Sequence, residues 1–283
     1  MRILVLDTDG MIGHVLKVYL EDHGHDIITI SANSSDINFY DPEHNVYRIE
    51  EIISRTRPDA VINCIASLIQ ESENNHPRAI LLNSFLPHYL DALSSKYHFK
   101  LIHRSTDCVF EGTTGHYTES STPDATNFYG RTKALGEVNN DHTLTLRVSI
   151  IGPDQNPDGE SLFSWFIQQS GTISGYSNVY WTGVTTIEFA RIIELCLLHN
   201  LSGIYNVSNG SKIAKADLLR LFVKYFPAPL TINDDPAKHC DKSLTKNPDF
   251  DFNIPNYDTM IRDMRDWIVS HINLYPHLKE RIE

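Results

Sequence analysis

Cysteine is scarce in this chain and never sits in a metal-binding pattern. Cys64, Cys108, Cys196 and Cys240 are far apart, with no C-x-x-C pair and no histidines at zinc-ligand spacing. That excludes a disulfide-stapled scaffold and a structural zinc site, and it predicts reduced thiols. The fourteen histidines are scattered and form no H-E-x-x-H cluster, so no metal is expected. Positive charge is also in short supply: 24 Lys and Arg stand against 36 Asp and Glu, a formal net charge of -12. Such a balance argues against a nucleic-acid-binding or anionic-membrane surface, and an anionic substrate would need a local basic pocket. No apolar run approaches the ~20 residues of a membrane span. Met1 runs straight into Arg-Ile-Leu-Val-Leu, too short for a signal-peptide core. Together these absences predict a cytoplasmic protein.

What is present is a core-forming chain of 283 residues, 41% hydrophobic, with β-α rhythm in its first half. Strands are predicted at Ile3 to Leu6, Asp26 to Ile30, Ala60 to Asn63, Phe99 to His103 and Leu144 to Val148. Helices are predicted at Met11 to Asp22, Ile49 to Arg57, Ile80 to Lys96 and around Tyr129. This is the pattern of an α/β, Rossmann-type, doubly wound parallel sheet. Beyond Gly152 the rhythm breaks at Pro153, Asn156, Pro157 and Gly159. We expect a dinucleotide-binding domain over 1–152 and a smaller substrate-binding lobe over 153–283, partly interleaved with it. In the second part, helices are predicted at Thr185 to His199, Lys215 to Tyr225 and Tyr257 to Ile272, with a strand at Gly203 to Val207. Trp165 and Trp267 are expected in the core.

Two local features carry chemistry. Strand one runs into Leu6-Asp-Thr-Asp-Gly10-Met-Ile-Gly13, the context of a dinucleotide-binding loop. A helix N-terminus there offers backbone N–H groups to a pyrophosphate, with Gly10 permitting close approach and Gly13 allowing the helix to pack. Asp7 occupies the place of the first loop glycine, which the turn tolerates if the carboxylate faces solvent. The second feature is Tyr129-Gly-Arg-Thr-Lys133, a phenol and an ammonium four residues apart on one helix face. A neighbouring cation favours the ionised phenol, and a tuned phenol is a general acid for a carbonyl oxygen.

With these residues the chain resembles the extended short-chain dehydrogenase/reductase superfamily, and within it the dTDP-4-dehydrorhamnose reductase family. Ser105-Thr-Asp-Cys-Val-Phe-Glu-Gly112 is similar to that family's S-T-D-x-V-F-x-G, and Tyr129-Gly-Arg-Thr-Lys-Ala-Leu-Gly-Glu137 to its Y-G-x-T/S-K-x-x-G-E. The resemblance implies reduction of the C4 ketone of a nucleotide-linked 6-deoxy-4-hexulose, with NADPH preferred over NADH. It implies Tyr129 as proton donor, Lys133 as the cation depressing its pKa, and Thr106 as the group polarising the ketone. Cofactor contacts carried over by it are Gly10, Met11, Ile12, Gly13, Asp36, Ile37, Ile65, Ala66 and Asn83, together with Tyr129 and Lys133. Substrate contacts are expected from Asp107, Val109, Phe110, Arg147, Trp181 and Lys242. The family's tryptophan after the strand arginine is Ile150 here, which leaves room for an N-acetylated sugar. Its metal-linking glutamate is Val15, and a homodimer would then form without metal. An epimerase and a non-catalytic binding or regulatory subunit are the alternatives, the latter because of Asp7.

Overall fold

A computed structural model of the chain describes residues 1–30, 41–250 and 252–282. Its centre is a six-stranded sheet of β1 (Arg2–Leu6), β2 (Asp26–Ile30), β3 (Ala60–Asn63), β4 (Lys100–Ser105), β5 (Leu144–Arg147) and β6 (Gly203–Asn206). All neighbours pair in parallel, in the order β2-β1-β3-β4-β5-β6. The reason lies in the strands themselves: Ile3 to Leu6 and Ala60 to Asn63 are buried throughout, as strands covered on both faces must be. Alternation then assigns the faces. Ile3 and Val5 pack with Val15, Leu16 and Leu20 of α1 (Gly13–Asp22) and with residues of the later helices. Leu4 and Leu6 pack with Ile49, Ile52 and Ile53 of α2 (Arg48–Thr56) and with Leu86 and Leu90 of α3 (Leu86–Tyr97).

The sequence of strand ends sets up the site. In register, Leu6 pairs with both Ile30 and Asn63, Asn63 with His103, and Ser105 with Arg147. The carboxyl ends of β1, β3 and β4 therefore line up, with the chain crossing over at β1 and β3, where a crevice opens in sheets of this order. The helix that follows, α4 (Phe128–Leu135), starts where Asn127 caps Gly130 N–H at 2.7 Å and Glu73 accepts Phe128 N–H at 2.7 Å.

The second half contributes β6 to this sheet, together with α5 (Thr186–His199) before it and α6 (Lys215–Tyr225) and α7 (Tyr257–Ser270) after it. Helices α1 and α5 lie against each other. Smaller strands follow: Gly171–Tyr176 pairs with Leu230–Asp235, and Val179–Trp181 lies between Ile213–Ala214 and Cys240–Asp241. No described helix is long and apolar enough to cross a membrane. All four cysteines are free thiols.

Two expectations are corrected here. The helix predicted over Ile80 to Lys96 is two pieces, a wide π-turn at Ile80–Phe85 and α3, and a short α-turn at His76–Ala79 precedes them. Its cause is tertiary, because the end of α4 presses in so closely that a Cβ on Gly136 would lie 1.9 Å from the Asn83 carbonyl oxygen. Trp165 is not core; it is 40% exposed, whereas Trp267 is buried and donates Nε1–H to the Tyr275 hydroxyl at 3.2 Å.

Candidate active site

Thr106, Asp107, Tyr129 and Lys133 come together at the carboxyl end of β4, and all four are buried. Thr106 caps the short turn after the strand, accepting Cys108 N–H at 3.1 Å, and donates its hydroxyl to Asp107 at 3.2 Å. Its hydroxyl also acts on the Tyr129 phenol, lowering the phenol's pKa. Gly130 permits this meeting: a Cβ there would stand 2.2 Å from the Cys108 carbonyl oxygen, so a larger residue would push α4 off the turn.

Burial pushes the Tyr129 phenol up to about 12, against the opposing pull of the Arg104 charge and the Thr106 hydroxyl. The expected cation is therefore corrected. Lys133 is wholly enclosed and donates Nζ–H to the Arg104 carbonyl oxygen at 2.8 Å, and burial followed by the Arg104 charge holds its pKa well below that of an ordinary lysine. It is Arg104, absent from the sequence expectation, whose charge favours the tyrosinate. The signal for it was there: an arginine in the apolar run Leu101-Ile-His-Arg of a strand buried on both faces needs a specific partner.

Along the crevice, Ile65 and Ala66 are half-buried at the end of β3. Asn83 is not a cleft group, which corrects its expected role. It is fully buried and clamps the loop after β3 to α4, accepting Ser67 N–H at 2.9 Å and donating to the Ser67 carbonyl at 3.0 Å and Thr132 Oγ1 at 3.2 Å. The expected adenine-side pair, Asp36 and Ile37, lies outside the described residues.

The glycine turn closes as expected, with Gly10 N–H donating to the Asp7 carbonyl at 3.3 Å. Gly13 lets α1 start directly on it, since a Cβ there would be 1.9 Å from the Asp7 carbonyl oxygen. The C-terminal tail locks this start: Tyr275 accepts from Trp267 and hydrogen-bonds His14 Nε2 at 2.7 Å, while His14 Nδ1 faces the Gly10 carbonyl at 2.9 Å. A hydroxyl that donates to Nε2 leaves Nδ1–H to donate to Gly10.

Asp7 itself takes a left-handed φ of 68°, a conformation aspartate bears better than most residues. Its carboxylate, however, does not turn to solvent, which corrects the expectation. It is half-buried and folds over Gly10, where its Oδ2 would lie 2.4 Å from a Cβ on that glycine. Burial raises its pKa to about 6, with Arg104 opposing and Asp9 and Asp154 reinforcing. The folded chain thus holds this proton more tightly than the unfolded chain, and stability contributed by the protonated form is lost as pH rises from about 4 to about 6. Asp7→Asn should be neutral near pH 4 and stabilise by about 3 kcal/mol, or about 6 °C, above pH 7. Thermal melts at the two pH values check this; equal shifts at both would remove the carboxylate as the cause.

Several expected substrate contacts are turned elsewhere and are likewise corrected. Val109 and Phe110 are fully buried, Phe110 stacking on Tyr117 at 4.1 Å. Arg147 is 2% exposed and meets Glu137 through two bonds of 2.8 and 2.7 Å, with its remaining nitrogen on the Glu119 carbonyl at 3.2 Å. Trp181 is buried against Tyr257 and donates Nε1–H to Ser149 at 2.8 Å. Lys242 does face the site: it is half-buried, and its charge is the largest influence offsetting the burial that raises the Asp107 pKa.

The crevice suits a dinucleotide in its turn, its half-buried Ile65 and Ala66, and a buried Arg104 Nε that has no hydrogen-bond partner among the described residues. Asp7 is the feature that fits poorly. Residues 1–156 match the family model described as the RmlD substrate binding domain. The chain belongs to that family. Within it, the chain is 26% identical over 231 residues to a Streptomyces niveus protein named dTDP-4-keto-6-deoxy-D-glucose reductase, covering 78% of this chain and 77% of that one. It is 23% identical to a Xenopus tropicalis protein named methionine adenosyltransferase 2 subunit beta, over 83% and 76% of the two chains. The dTDP-4-dehydrorhamnose reductase structures from Clostridium acetobutylicum and Bacillus anthracis, the latter in complex with NADP, superpose with TM-scores of 0.80 and 0.79 at 19% identity. They cover 95% and 93% of this chain and 100% and 98% of theirs, and at that identity they speak for the shared fold.

Proposed function

We propose that this RmlD-family chain is a nicotinamide-dependent reductase of the C4 ketone of a nucleotide-linked 6-deoxy-4-hexulose, serving glycan biosynthesis. The observation that carries the reading is the meeting of buried Thr106, Tyr129 and Lys133 at the strand end beside the crevice. A phenol held up at about 12 is fully protonated at neutral pH and ready to donate. A reduced nicotinamide, when bound, supplies the hydride. Gly10, Met11, Ile12, Gly13, Ile65, Ala66 and Arg104 would hold it; Tyr129 donates its proton to the nascent alkoxide, and Thr106 hydrogen-bonds the same oxygen. Lys133 positions the strand end through the Arg104 carbonyl. Lys242 and Asp107 are the substrate-side polar groups.

The matched names support this reading, since the Streptomyces relative and a Haloferax volcanii relative, 34% identical over 53% of this chain and 54% of its own length, are both named reductases. A second reading, a non-catalytic subunit, draws on the inward carboxylate of Asp7 and the likeness to the methionine adenosyltransferase subunit. Incubating the protein with dTDP- and UDP-linked 4-keto-deoxysugars and NADPH or NADH tests the choice. Reduction of at least one sugar is expected; dinucleotide binding with no turnover of any sugar would leave the second reading standing.

A further inference from the structure

Asp7 and Arg104 are both departures from what their positions ordinarily require, and the fold brings them to one crevice. Asp7 places a carboxylate over Gly10, on the turn that should receive phosphate. Arg104 leaves β4 beneath the loop after β3, where its Nη2 donates to the Cys64 carbonyl at 3.3 Å and its buried Nε has no hydrogen-bond partner among the described residues. Its backbone is fixed from the other side by Lys133. The charge of this one side chain reaches Asp7 on the glycine turn, Cys64 after β3, and Tyr129 and Lys133 on α4. This guanidinium therefore acts electrostatically on both the turn and the phenol. Among the described residues it closes no ion pair, so a donor fork remains that suits a phosphate or ribose oxygen.

We propose that Arg104 is a dinucleotide-binding residue and the counter-charge to Asp7, letting a turn that lacks its first glycine still accept an anionic phosphate ligand. The inference rests on the reductase reading only in taking a dinucleotide as the ligand. Without Arg104, a pyrophosphate would meet the Asp7 carboxylate with the negative charges of Asp9 and Asp154 also acting there. With it, the crevice presents a fixed cation, and a proton taken up by Asp7 removes the remaining repulsion. The groups acting on Asp7 are Arg104 from β4, Asp9 from its own turn and Asp154 from the segment after Ile150–Ile151. Two consequences follow. Arg104 and Asp7 are energetically coupled in dinucleotide binding, and binding weakens as pH rises through the Asp7 titration.

Both are read from affinity rather than turnover. NADPH and NADH are titrated calorimetrically into the wild type, Arg104→Met, Asp7→Gly and the double variant, with Arg104→Lys as the conservative control. Arg104→Met should weaken binding at least about tenfold in the wild-type background and no more than about threefold on Asp7→Gly, with Arg104→Lys in between. Equal factors in the two backgrounds, or no effect of Arg104→Met, would overturn the proposal while leaving the reductase reading intact. If Arg104→Met does not fold, the wild type decides through pH: its affinity should fall between about pH 5 and pH 8, and Asp7→Asn should flatten that part of the profile. Identical profiles for wild type and Asp7→Asn contradict it. No saturable binding of either dinucleotide by the wild type overturns both this inference and the reductase reading.

Discussion

Tyr129→Phe lowers kcat by about 10²-fold or more while leaving dinucleotide affinity within about twofold. Only the phenolic hydroxyl, and with it the transferable proton, is lost in this change. The ring is buried, so its packing beside the Cys108 turn is kept. Transition-state stabilisation is therefore removed with little cost to ground-state binding, and kcat and kcat/KM should fall together. With the phenol near 12 and Arg104 the cation lowering it, the pH profile should show no loss of the acid until well above neutrality. Steady-state kinetics with calorimetric binding checks the prediction; unchanged turnover would remove Tyr129 as proton donor.

Glu137→Ala should be the most destabilising single change, because it strands a buried guanidinium. Glu137 and Arg147 side chains are 5% and 3% exposed, and Ser105 also donates to Glu137 at 2.7 Å. Breaking one side of such a pair costs about 3–5 kcal/mol, roughly 6–10 °C in Tm for a chain of this size, since the other charge is left without compensation. The double variant Glu137→Met with Arg147→Met should lose less than the single change. Thermal unfolding of the variants decides. A double variant less stable than Glu137→Ala would contradict the account, and a marked loss of sugar affinity in a folded Arg147→Met protein would return Arg147 to the substrate site.

That pair shows where the sequence stops being legible. The motif Leu144-Thr-Leu-Arg147 places an arginine at a strand end but says nothing of which way it points, and the acceptor ten residues earlier, Glu137, turns it inward. Trp181, Val109 and Phe110 fail for the same reason: position along the chain is periodic, whereas orientation depends on partners distant in sequence. Backbone elements governed by local pattern read well. Asp26–Ile30, Ala60–Asn63 and Lys215–Tyr225 have the bounds their periodicity predicts. The π-turn at Ile80–Phe85 does not, because it answers to Gly136, more than fifty residues away. At the site, Thr106, Tyr129 and Lys133 are brought together as their motifs suggest, yet the electrostatics between them are redistributed by burial. The cation that matters to Tyr129 is one the motif skips over.

The central claim, that this site moves a hydride to a sugar ketone, is tested most directly by isotope transfer. NADPH or NADH carrying deuterium at the transferable position of the nicotinamide is incubated with the protein and nucleotide-linked 4-keto-deoxysugars, and the products are read by NMR. The account predicts a single deuterium at C4 of the product sugar. Binding of dinucleotide and sugar with no deuterium in any product would contradict it.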